Sequence, residues 1–322
     1  MTAGPEERLP TAGMSFFATS GEVPDWRRVL LYDAAAEAGV LDALPATLDQ
    51  MSADLGLDAE ALRMLLDALA AWTVVEHGVG GRYLPGPTMP DEDETAVIRH
   101  HARTVRRWSA QIDDRLRGAP NPDPWRPTSA QLESWMRALA VQARRWAPRA
   151  VDACLAVAPA ARNVLDLGGG HGEYAREFAR RGLRTTVQDR PETIEMLQGQ
   201  GWLRDSGVEL FAGDFFQTVP EETFDIVFCA GVTYTFGGQR NIDLYRNVRS
   251  VIAPGGGLAI VTFLRGDGPV PPIFAMQMLI VGAGGDTHGE EQYRGWLEEA
   301  GYGSVQVRRA GERPNSLVFA TP

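Results

Sequence analysis

The chain has 322 residues, of which 44% are hydrophobic and 23% charged, a composition typical of a globular protein with one large domain or two of ordinary size. Its formal net charge of −11 argues against nucleic acid as the main partner, because a phosphate backbone attracts basic surfaces. No apolar run reaches the ~18 residues that span a membrane. Residues 1–20 lack a secretory signal, so we expect a flexible arm there and a cytoplasmic protein without a membrane partner.

Residues 25–87 predict short helices followed by a β-hairpin. After Asp58, which can cap a helix, leucines recur at the spacing of one helical face, at positions 62, 65, 66 and 69. Residues 78–81 are glycine-rich and lie between two short apolar segments, which is a hairpin signal. We interpret residues 21–117 as a winged-helix domain. It is expected to serve dimerisation and substrate capping rather than DNA binding, since Arg63 is the single basic residue of the helix after Asp58.

The middle of the chain predicts a connection between two domains. Four prolines within residues 118–128 predict a loop, and a long helix over about residues 130–157 follows it. We therefore assign residues 118–157 to a linker and connecting helix, and residues 158–322 to a second domain.

From residue 163 onward, predicted strands alternate with predicted helices, which indicates βαβ units, a parallel sheet and an α/β fold. The strands are expected at 163–167, 185–188, 208–212, 224–230 and 257–263, and the helices at 173–181, 191–198, 240–252 and 289–300. Two further strands, at 304–309 and 316–320, predict an antiparallel pair that closes the sheet edge.

A glycine-rich loop follows the first of these strands. Asp166 is followed at alternate positions by Gly168, Gly170 and Gly172. Glycine lets a backbone turn sharply and lets a ligand approach closely, while the acid disfavours a phosphate and can accept hydrogen bonds from a cationic or hydroxyl-bearing ligand. A dinucleotide loop differs, because its glycines open onto a pyrophosphate. The pattern therefore predicts S-adenosylmethionine as the cofactor.

Further candidate cofactor residues end the next strands, where ligands of doubly wound sheets bind. Asp189, followed by Arg190, ends the second strand and is placed to bind ribose hydroxyls. Asp214 and Phe215 follow the third strand and can hold an adenine, and Ala230 ends the fourth. Each acid also has a simpler interpretation as a helix cap or a turn residue. Their order along successive strand ends favours a cofactor site.

These features resemble a known family. Residues 164–309 are similar to class I S-adenosylmethionine-dependent methyltransferases, and residues 25–320 resemble the acetylserotonin/plant-type O-methyltransferase family, including its bacterial natural-product branch. The segments that carry the resemblance are 59–75, 82–84, 166–172, 213–215, 254–256 and 290–301, together with Asp189. The resemblance implies a Rossmann-like catalytic domain at 158–322, a winged-helix dimerisation domain, a homodimer with intertwined helices, and a substrate pocket between the domains.

The family's catalytic base is missing from this sequence. The family has a histidine after the fourth strand and a glutamate before the last helix that orients it, and the matching positions hold Tyr234 and Thr287. A general base contributes ~10²–10⁴-fold, and it is needed where the nucleophile must lose a proton, as a phenol does. We therefore expect Tyr234 to donate a hydrogen bond, C- or N-methylation to be slightly favoured over O-methylation, and His288 to be the alternative base.

The predicted substrate pocket is apolar. Residues 271–280 are rich in methionine and aromatic side chains, which indicates either core packing or a wall of the acceptor site. The candidate pocket residues are Trp108, Trp135, Met136, Phe274 and Met278. They suit a small, aromatic or electron-rich acceptor from secondary metabolism, such as an antibiotic intermediate, and the spacing of Cys, His and Asp predicts no metal.

Two other functions stay open. Loss of the base is compatible with an enzyme that uses bound S-adenosylmethionine for a rearrangement or a decarboxylation. The winged helix is compatible with a non-enzymatic regulator. Release of S-adenosylhomocysteine distinguishes methyl transfer from both.

Overall fold

The computed structural model describes residues 26–122, 127–282, 284–309 and 315–322. The arm expected at residues 1–20 lies outside the described residues. The chain divides into two compact units, Met1–Asp91 and Glu92–Pro322. Each unit is built around its own sheet.

The described part of the first unit contains three α-helices and a small sheet. Its elements are α1 (Trp26–Glu37), β1 (Ala46–Thr47), α2 (Leu48–Leu55), α3 (Ala59–Ala71), β2 (Val75–His77) and β3 (Arg82–Pro85). Asp58 caps α3 as predicted, because its side chain accepts a hydrogen bond of 2.8 Å from the Ala61 amide. The predicted hairpin pairs β2 with β3, and β1 adds to the other edge of β3. The winged-helix assignment and its use in dimerisation stay predictions.

Two long helices open the second unit. They are α4 (Glu92–Leu116) and α5 (Ser129–Leu155), and they pack on each other. Thr128 and Gln131 form a capping box at the start of α5. The sequence analysis placed the domain boundary after residue 117, whereas the structure groups α4 with the second unit. The physical reason is that α4 packs on α5 and on α9 (Val270–Val281), both of which lie in that unit.

A seven-stranded sheet forms the centre of the second unit. Its strands are β4 (Asn163–Leu167), β5 (Arg184–Asp189), β6 (Glu209–Ala212), β7 (Phe224–Ala230), β8 (Ile252–Phe263), β9 (Ser304–Arg309) and β10 (Asn315–Thr321). The remaining helices are α6 (Glu173–Arg180), α7 (Pro191–Gln200), α8 (Gly238–Arg249) and α10 (Glu290–Glu299). The strand order is β6-β5-β4-β7-β8-β10-β9. Strands β4 to β8 are parallel, and β10 is antiparallel to both β8 and β9, which confirms the predicted sheet and its antiparallel edge.

Strand β8 begins earlier than the sequence predicts. It starts at Ile252, so the helix expected over 240–252 ends at Arg249. Phe224 pairs with Ile252 and Ile226 pairs with Gly257, and the register therefore shifts between these two pairs. Pro254 is tolerated within this irregular stretch, because proline in sheets is confined to bulges, edges and first positions.

The sheet is covered on both faces. Residues of α5 and α6, including Val151 and Phe178, pack against Phe228 on one face. Residues of α8 and α10, including Tyr245 and Leu297, cover the other face. The strand order reverses beside β4, so the fold places a ligand crevice at the carboxyl ends of β4, β5 and β7. Within the described ranges, every helix is too short or too polar to cross a bilayer.

Candidate active site

The glycine loop (residues 168–172) requires its glycines. Positive φ angles occur at positions 168, 170 and 172, a region that residues with a Cβ rarely adopt. A methyl group added at Gly168 would lie 2.8 Å from Val232 and 3.5 Å from the ring of Phe215. One added at Gly170 would lie 3.2 Å from the sulfur of Met136. The loop is therefore a close-packed cradle in which segments following β6 and β7 approach the end of β4.

Asp189 connects this loop to the end of β5. Its Oδ2 accepts a hydrogen bond of 2.9 Å from the Gly170 amide, and its Oδ1 accepts one of 2.7 Å from the Arg190 amide. Burial raises the pKa of Asp189. A carboxylate has about four acceptor sites, so capacity remains for the hydroxyl groups of a ligand. The Arg190 side chain is exposed and pairs with Glu192 at 3.2 Å.

Asp166 lies beneath the glycine loop. It is 1% exposed, and a methyl group added at Gly169 would lie 2.8 Å from its Oδ2. Burial, and secondly the neighbouring Asp189, raises the pKa of Asp166 to about 7. Among the described residues its Oδ2 has no hydrogen-bond partner. The carboxyl group thus packs against the glycine loop at Gly169. Its direct contact with a cofactor stays a prediction.

Asp214 and Phe215 form the third strand end. The Oδ1 of Asp214 accepts a hydrogen bond of 2.9 Å from the Phe216 amide, so this acid also caps a turn. The ring centroid of Phe215 lies 5.0 Å from that of Phe216. The Phe215 ring is also close to Gly168 of the glycine loop. Ala230 ends β7, opposite Val261 of β8.

An aromatic cluster (Tyr234, Phe263 and Phe274) lies at the carboxyl end of β8. The ring centroid of Tyr234 is 4.7 Å from that of Phe274 and 6.0 Å from that of Phe263, and the two phenylalanine rings are 4.6 Å apart. The structure thus brings together Tyr234 and Phe274, which the sequence analysis selected for different reasons. The sequence analysis missed Phe263, although its place as the last residue of a predicted strand was a usable signal.

The Tyr234 phenol is suited to donating a proton in a hydrogen bond. A methyl group added at Gly231 would lie 3.0 Å from its oxygen, so the phenol folds back over the end of β7. Burial raises the pKa of Tyr234, with smaller contributions from Tyr174 and Tyr293. The phenol therefore stays protonated at neutral pH.

His288 is buried and engaged by the backbone. It is 5% exposed, and its Nε2 lies 3.1 Å from the Phe236 carbonyl oxygen. A carbonyl can only accept, so Nε2 carries the hydrogen and Nδ1 is left as the acceptor. The ring packs edge-on against Trp296 at 4.7 Å, and burial lowers the pKa of His288. His288 is a neutral packing residue in this geometry, and its role as a base stays a prediction.

The loop over residues 284–289 holds the turn that carries Tyr234. The Asp286 amide donates to the Tyr234 carbonyl at 2.9 Å, beside the contact of His288 with Phe236. Thr287, at the position of the family's glutamate, is fully buried and donates its hydroxyl to the Pro271 carbonyl at 3.1 Å. Thr287 thus anchors the start of α9.

The predicted pocket residues fall into two groups. Trp108 donates its indole N–H to Gln277, which places α4 against α9, the helix that carries Phe274 and the buried Met278. Met136 instead lies against the glycine loop, and Trp135 is its half-buried neighbour on α5. A role of these residues in binding an acceptor stays a prediction. Across the described residues, no group of three or more His, Cys, Asp or Glu side chains is arranged to hold a metal ion.

Solved structures share this architecture. Human N-acetylserotonin methyltransferase in complex with SAM matches with a TM-score of 0.70 and 21% identity, over 99% of each chain. N,N-8-amino-8-demethyl-D-riboflavin dimethyltransferase from Streptomyces davawensis matches with a TM-score of 0.72 and 20% identity, over 98% of this chain and 99% of that one. The fold is that of a class I methyltransferase.

The sequence comparison identifies the family. The O-methyltransferase domain model matches residues 142–303, which is half of the chain. The 3-amino-4-hydroxybenzoate 4-O-methyltransferase of Streptomyces cremeus is 28% identical over 307 residues, covering 86% of this chain and 82% of the relative. The chain belongs to the O-methyltransferase family, as the resemblance implied, and is an S-adenosylmethionine-dependent methyltransferase.

Proposed function

We propose that this enzyme methylates a small, aromatic or electron-rich intermediate of secondary metabolism, at carbon or nitrogen in preference to phenolic oxygen. The observation that carries the proposal is Tyr234, a protonated phenol in the aromatic cluster at the position where the family has a histidine base. A phenol donates a hydrogen bond well and removes a proton poorly at neutral pH. Such a site favours acceptors whose nucleophilic atom needs no deprotonation.

The strand ends fit the cofactor. The amides and close packing of the glycine loop would hold its methionine part, and the free lone pairs of Asp189 would accept from its ribose. The Phe215 ring, which faces Gly168, would stack on its adenine, with Asp214 and Ala230 completing the site. When bound, S-adenosylmethionine supplies a methyl group on a sulfonium, which an in-line displacement can transfer.

The chain's own contribution to the reaction is positioning. The rings of Phe263 and Phe274 offer a flat apolar wall, and Tyr234 can orient an oxygen or nitrogen of the acceptor with its O–H. Holding the acceptor and the methyl donor at near-attack distance can lower the activation barrier substantially. Effective molarities reach roughly 10⁵–10⁸ M in favourable cases. Exclusion of water by the aromatic cluster strengthens the hydrogen bond from Tyr234.

A second candidate function is O-methylation with His288 as the base. It is favoured by the name of the Streptomyces cremeus relative, which specifies 4-O-methylation. The name of the Streptomyces davawensis protein specifies dimethylation at nitrogen, which supports the first proposal. Against His288 stand its burial and the hydrogen bond of its Nε2. Rearrangement or decarboxylation with bound S-adenosylmethionine is the remaining alternative.

A bifunctional acceptor tests the proposal. Calorimetric titration with S-adenosylmethionine, and separately with NADH, first establishes cofactor binding. The enzyme is then incubated with 3-amino-4-hydroxybenzoate and related aminophenols, and products are separated by mass spectrometry and located by NMR. We expect gain of one methyl group at nitrogen or carbon with equimolar S-adenosylhomocysteine. A product methylated at oxygen alone would favour the His288 mechanism, and a changed acceptor without S-adenosylhomocysteine would favour the non-methylating reaction.

We also propose a cytoplasmic homodimer formed through the first unit. Trp26, Met64 and Val79 are large hydrophobic side chains of that unit with exposed fractions of 58%, 55% and 96%. Contact with a second copy would remove this apolar surface from water. Cys154 and Cys229 are both buried and unpaired, which suits a reducing compartment. Light scattering tests the dimer, and the mass of a single chain at micromolar concentration would contradict it.

A further inference from the structure

Tyr234 is carried by a short turn that its own backbone holds weakly. The turn is a 3₁₀ helix of three residues, Thr233–Thr235, which follows β7. Main-chain hydrogen bonds of 3.0 Å and 3.3 Å close it. Because hydrogen bonds in a 3₁₀ helix have poorer geometry than those in an α-helix, the surroundings of the turn must fix the orientation of Tyr234.

Asn241 of α8 holds the main chain on both sides of the phenol. Its side-chain Nδ2 donates to the Thr233 carbonyl at 3.0 Å and to the Phe236 carbonyl at 3.2 Å. One of these carbonyls precedes Tyr234 by one residue, and the other follows it by two. Asn241 is fully buried, so both hydrogen bonds lie in a low dielectric, where they are strong.

A buried hydroxyl network (Thr233, Thr262 and Tyr293) holds the same turn from β8 and α10. The hydroxyl oxygen of Tyr293 lies 2.7 Å from Oγ1 of Thr233 and 3.1 Å from Oγ1 of Thr262. The three side chains are at most 2% exposed. A buried hydroxyl group is costly to leave unpaired, so the network ties the turn to fixed positions on a strand and a helix.

The hydroxyl network is placed where a core is otherwise built from apolar side chains. The core on this face of the sheet includes Leu244, Ile260 and Leu297. Apolar packing is sufficient for stability there, whereas paired hydroxyl groups rigidify a core and specify one arrangement. The network and Asn241 both converge on the turn that carries Tyr234. This convergence indicates that the position of the turn matters for function.

We propose that Tyr293 is a positioning residue for methyl transfer, which holds the Tyr234 phenol in the aromatic cluster by way of Thr233. The inference rests on the proposed function, in which Tyr234 donates a hydrogen bond to the acceptor, and deepens it by identifying what keeps this donor in place. A hydrogen-bond donor stabilises a transition state most when it is already oriented before the reaction. Loss of the network therefore lowers the rate and leaves cofactor binding intact.

Matched tyrosine variants test the proposal without an acceptor. The tyrosine ring carbons are isotope-labelled for NMR, and the Tyr234 resonance is identified by its loss from Tyr234→Phe. Tyr293→Phe removes one hydroxyl group of the network and keeps the ring. Tyr302→Phe is the control, since that buried hydroxyl group donates instead to the Tyr245 carbonyl at 3.1 Å. Thr262→Val removes the hydroxyl group at the other end of the network and keeps the shape of that side chain.

We expect Tyr293→Phe and Thr262→Val each to shift or broaden the Tyr234 resonance, and Tyr302→Phe to leave it unchanged. An unchanged Tyr234 resonance in Tyr293→Phe, or an equal change in Tyr302→Phe, would overturn the proposal. If Tyr293→Phe does not fold, Thr262→Val decides by the same comparison with Tyr302→Phe.

The kinetics of the same variants are followed as release of S-adenosylhomocysteine, with 3-amino-4-hydroxybenzoate as the acceptor. We expect Tyr293→Phe to lower kcat by roughly three- to tenfold with the KM for S-adenosylmethionine unchanged, and Tyr302→Phe to alter neither. When Tyr234→Phe is already present, Tyr293→Phe causes no further loss, because the phenol that it positions is gone. Losses that multiply in the double variant would overturn the proposal. A kcat that Tyr234→Phe does not change, or no turnover by the wild type, would count against the proposed function instead, and the NMR comparison then decides the role of Tyr293.

Discussion

The carboxyl group of Asp166 gives a prediction about stability that depends on pH. We expect Asp166→Asn to gain stability relative to the wild type as the pH rises, because the amide has similar shape and stays neutral. In the folded chain burial raises the pKa of Asp166 from 3.8 to about 7. A raised pKa means that ionisation opposes folding, so this group's contribution to stability falls as the pH rises from about 4 to about 7.

The magnitude follows from the pKa difference. At pH 5 the unfolded chain has already ionised Asp166 while the folded chain keeps it protonated, and the folded state becomes ionised only near pH 7. Between pH 5 and pH 8 the wild type therefore loses about 3 kcal/mol that the variant keeps, at 1.36 kcal/mol per unit. The repulsion between the two carboxylates is part of what raises the pKa of Asp166, so this figure already includes it.

Urea unfolding followed by tryptophan fluorescence measures the effect at pH 5, 6, 7 and 8. Asp214→Asn is the control, since that carboxyl group caps a turn outside the buried loop. We expect the difference between Asp166→Asn and wild type to shift by at least 1 kcal/mol (about 3 at most) in favour of the variant between pH 5 and 8. A difference that is constant with pH, or that moves in favour of the wild type, would refute a buried carboxyl with a raised pKa.

Three further predictions concern the site and the core. Asp189→Ala lowers the affinity for S-adenosylmethionine by roughly ten- to hundredfold in calorimetry, whereas Glu192→Ala, which removes the exposed partner of Arg190, leaves it unchanged. Tyr234→Phe lowers kcat by roughly tenfold without altering cofactor affinity. His288→Gln keeps a donor for the Phe236 carbonyl and leaves the pH–rate profile unchanged. A change in the pH dependence of the rate in this variant would instead identify His288 as the base. Phe178→Ala costs about 3–5 kcal/mol in denaturant unfolding, because this fully buried ring packs edge-on against Phe228, and a cost below about 1 kcal/mol would contradict a close-packed core.

Local signals made much of the fold predictable. Asp58 was predicted to cap a helix because aspartate is preferred at the N-cap and leucines at helical spacing follow it. The structure confirms this cap. The order of strands and helices after residue 163 was also predicted from the sequence, and the structure confirms the parallel sheet and its antiparallel edge. Strand β8 was misjudged at Ile252, because its first pair with Phe224 depends on a partner some thirty positions away and on an irregular register.

The candidate site was only partly predictable. The glycine loop and Asp189 carry their signal in residue type and position, and the structure joins them by a direct hydrogen bond. Met136 was selected for the acceptor pocket, which stays a prediction, and the sequence did not show that it lies against Gly170, since the rotation of a long helix relative to a loop is fixed by tertiary packing. Tyr174 was missed because Phe228, against which its ring packs, is distant in sequence. Phe263 could have been found from its place as the last residue of a predicted strand.

The hydrogen bonds that hold the turn carrying Tyr234 bear on which side chains can change during evolution. The Asp286 amide and the Phe236 carbonyl, both main-chain groups, contribute to fixing this turn. The side chains of α9 that we propose to face the acceptor, such as Phe274, can therefore be exchanged while the phenol and the glycine loop keep their places. A scaffold of this kind can diversify its substrates one helix at a time and retain a working methyl donor site throughout.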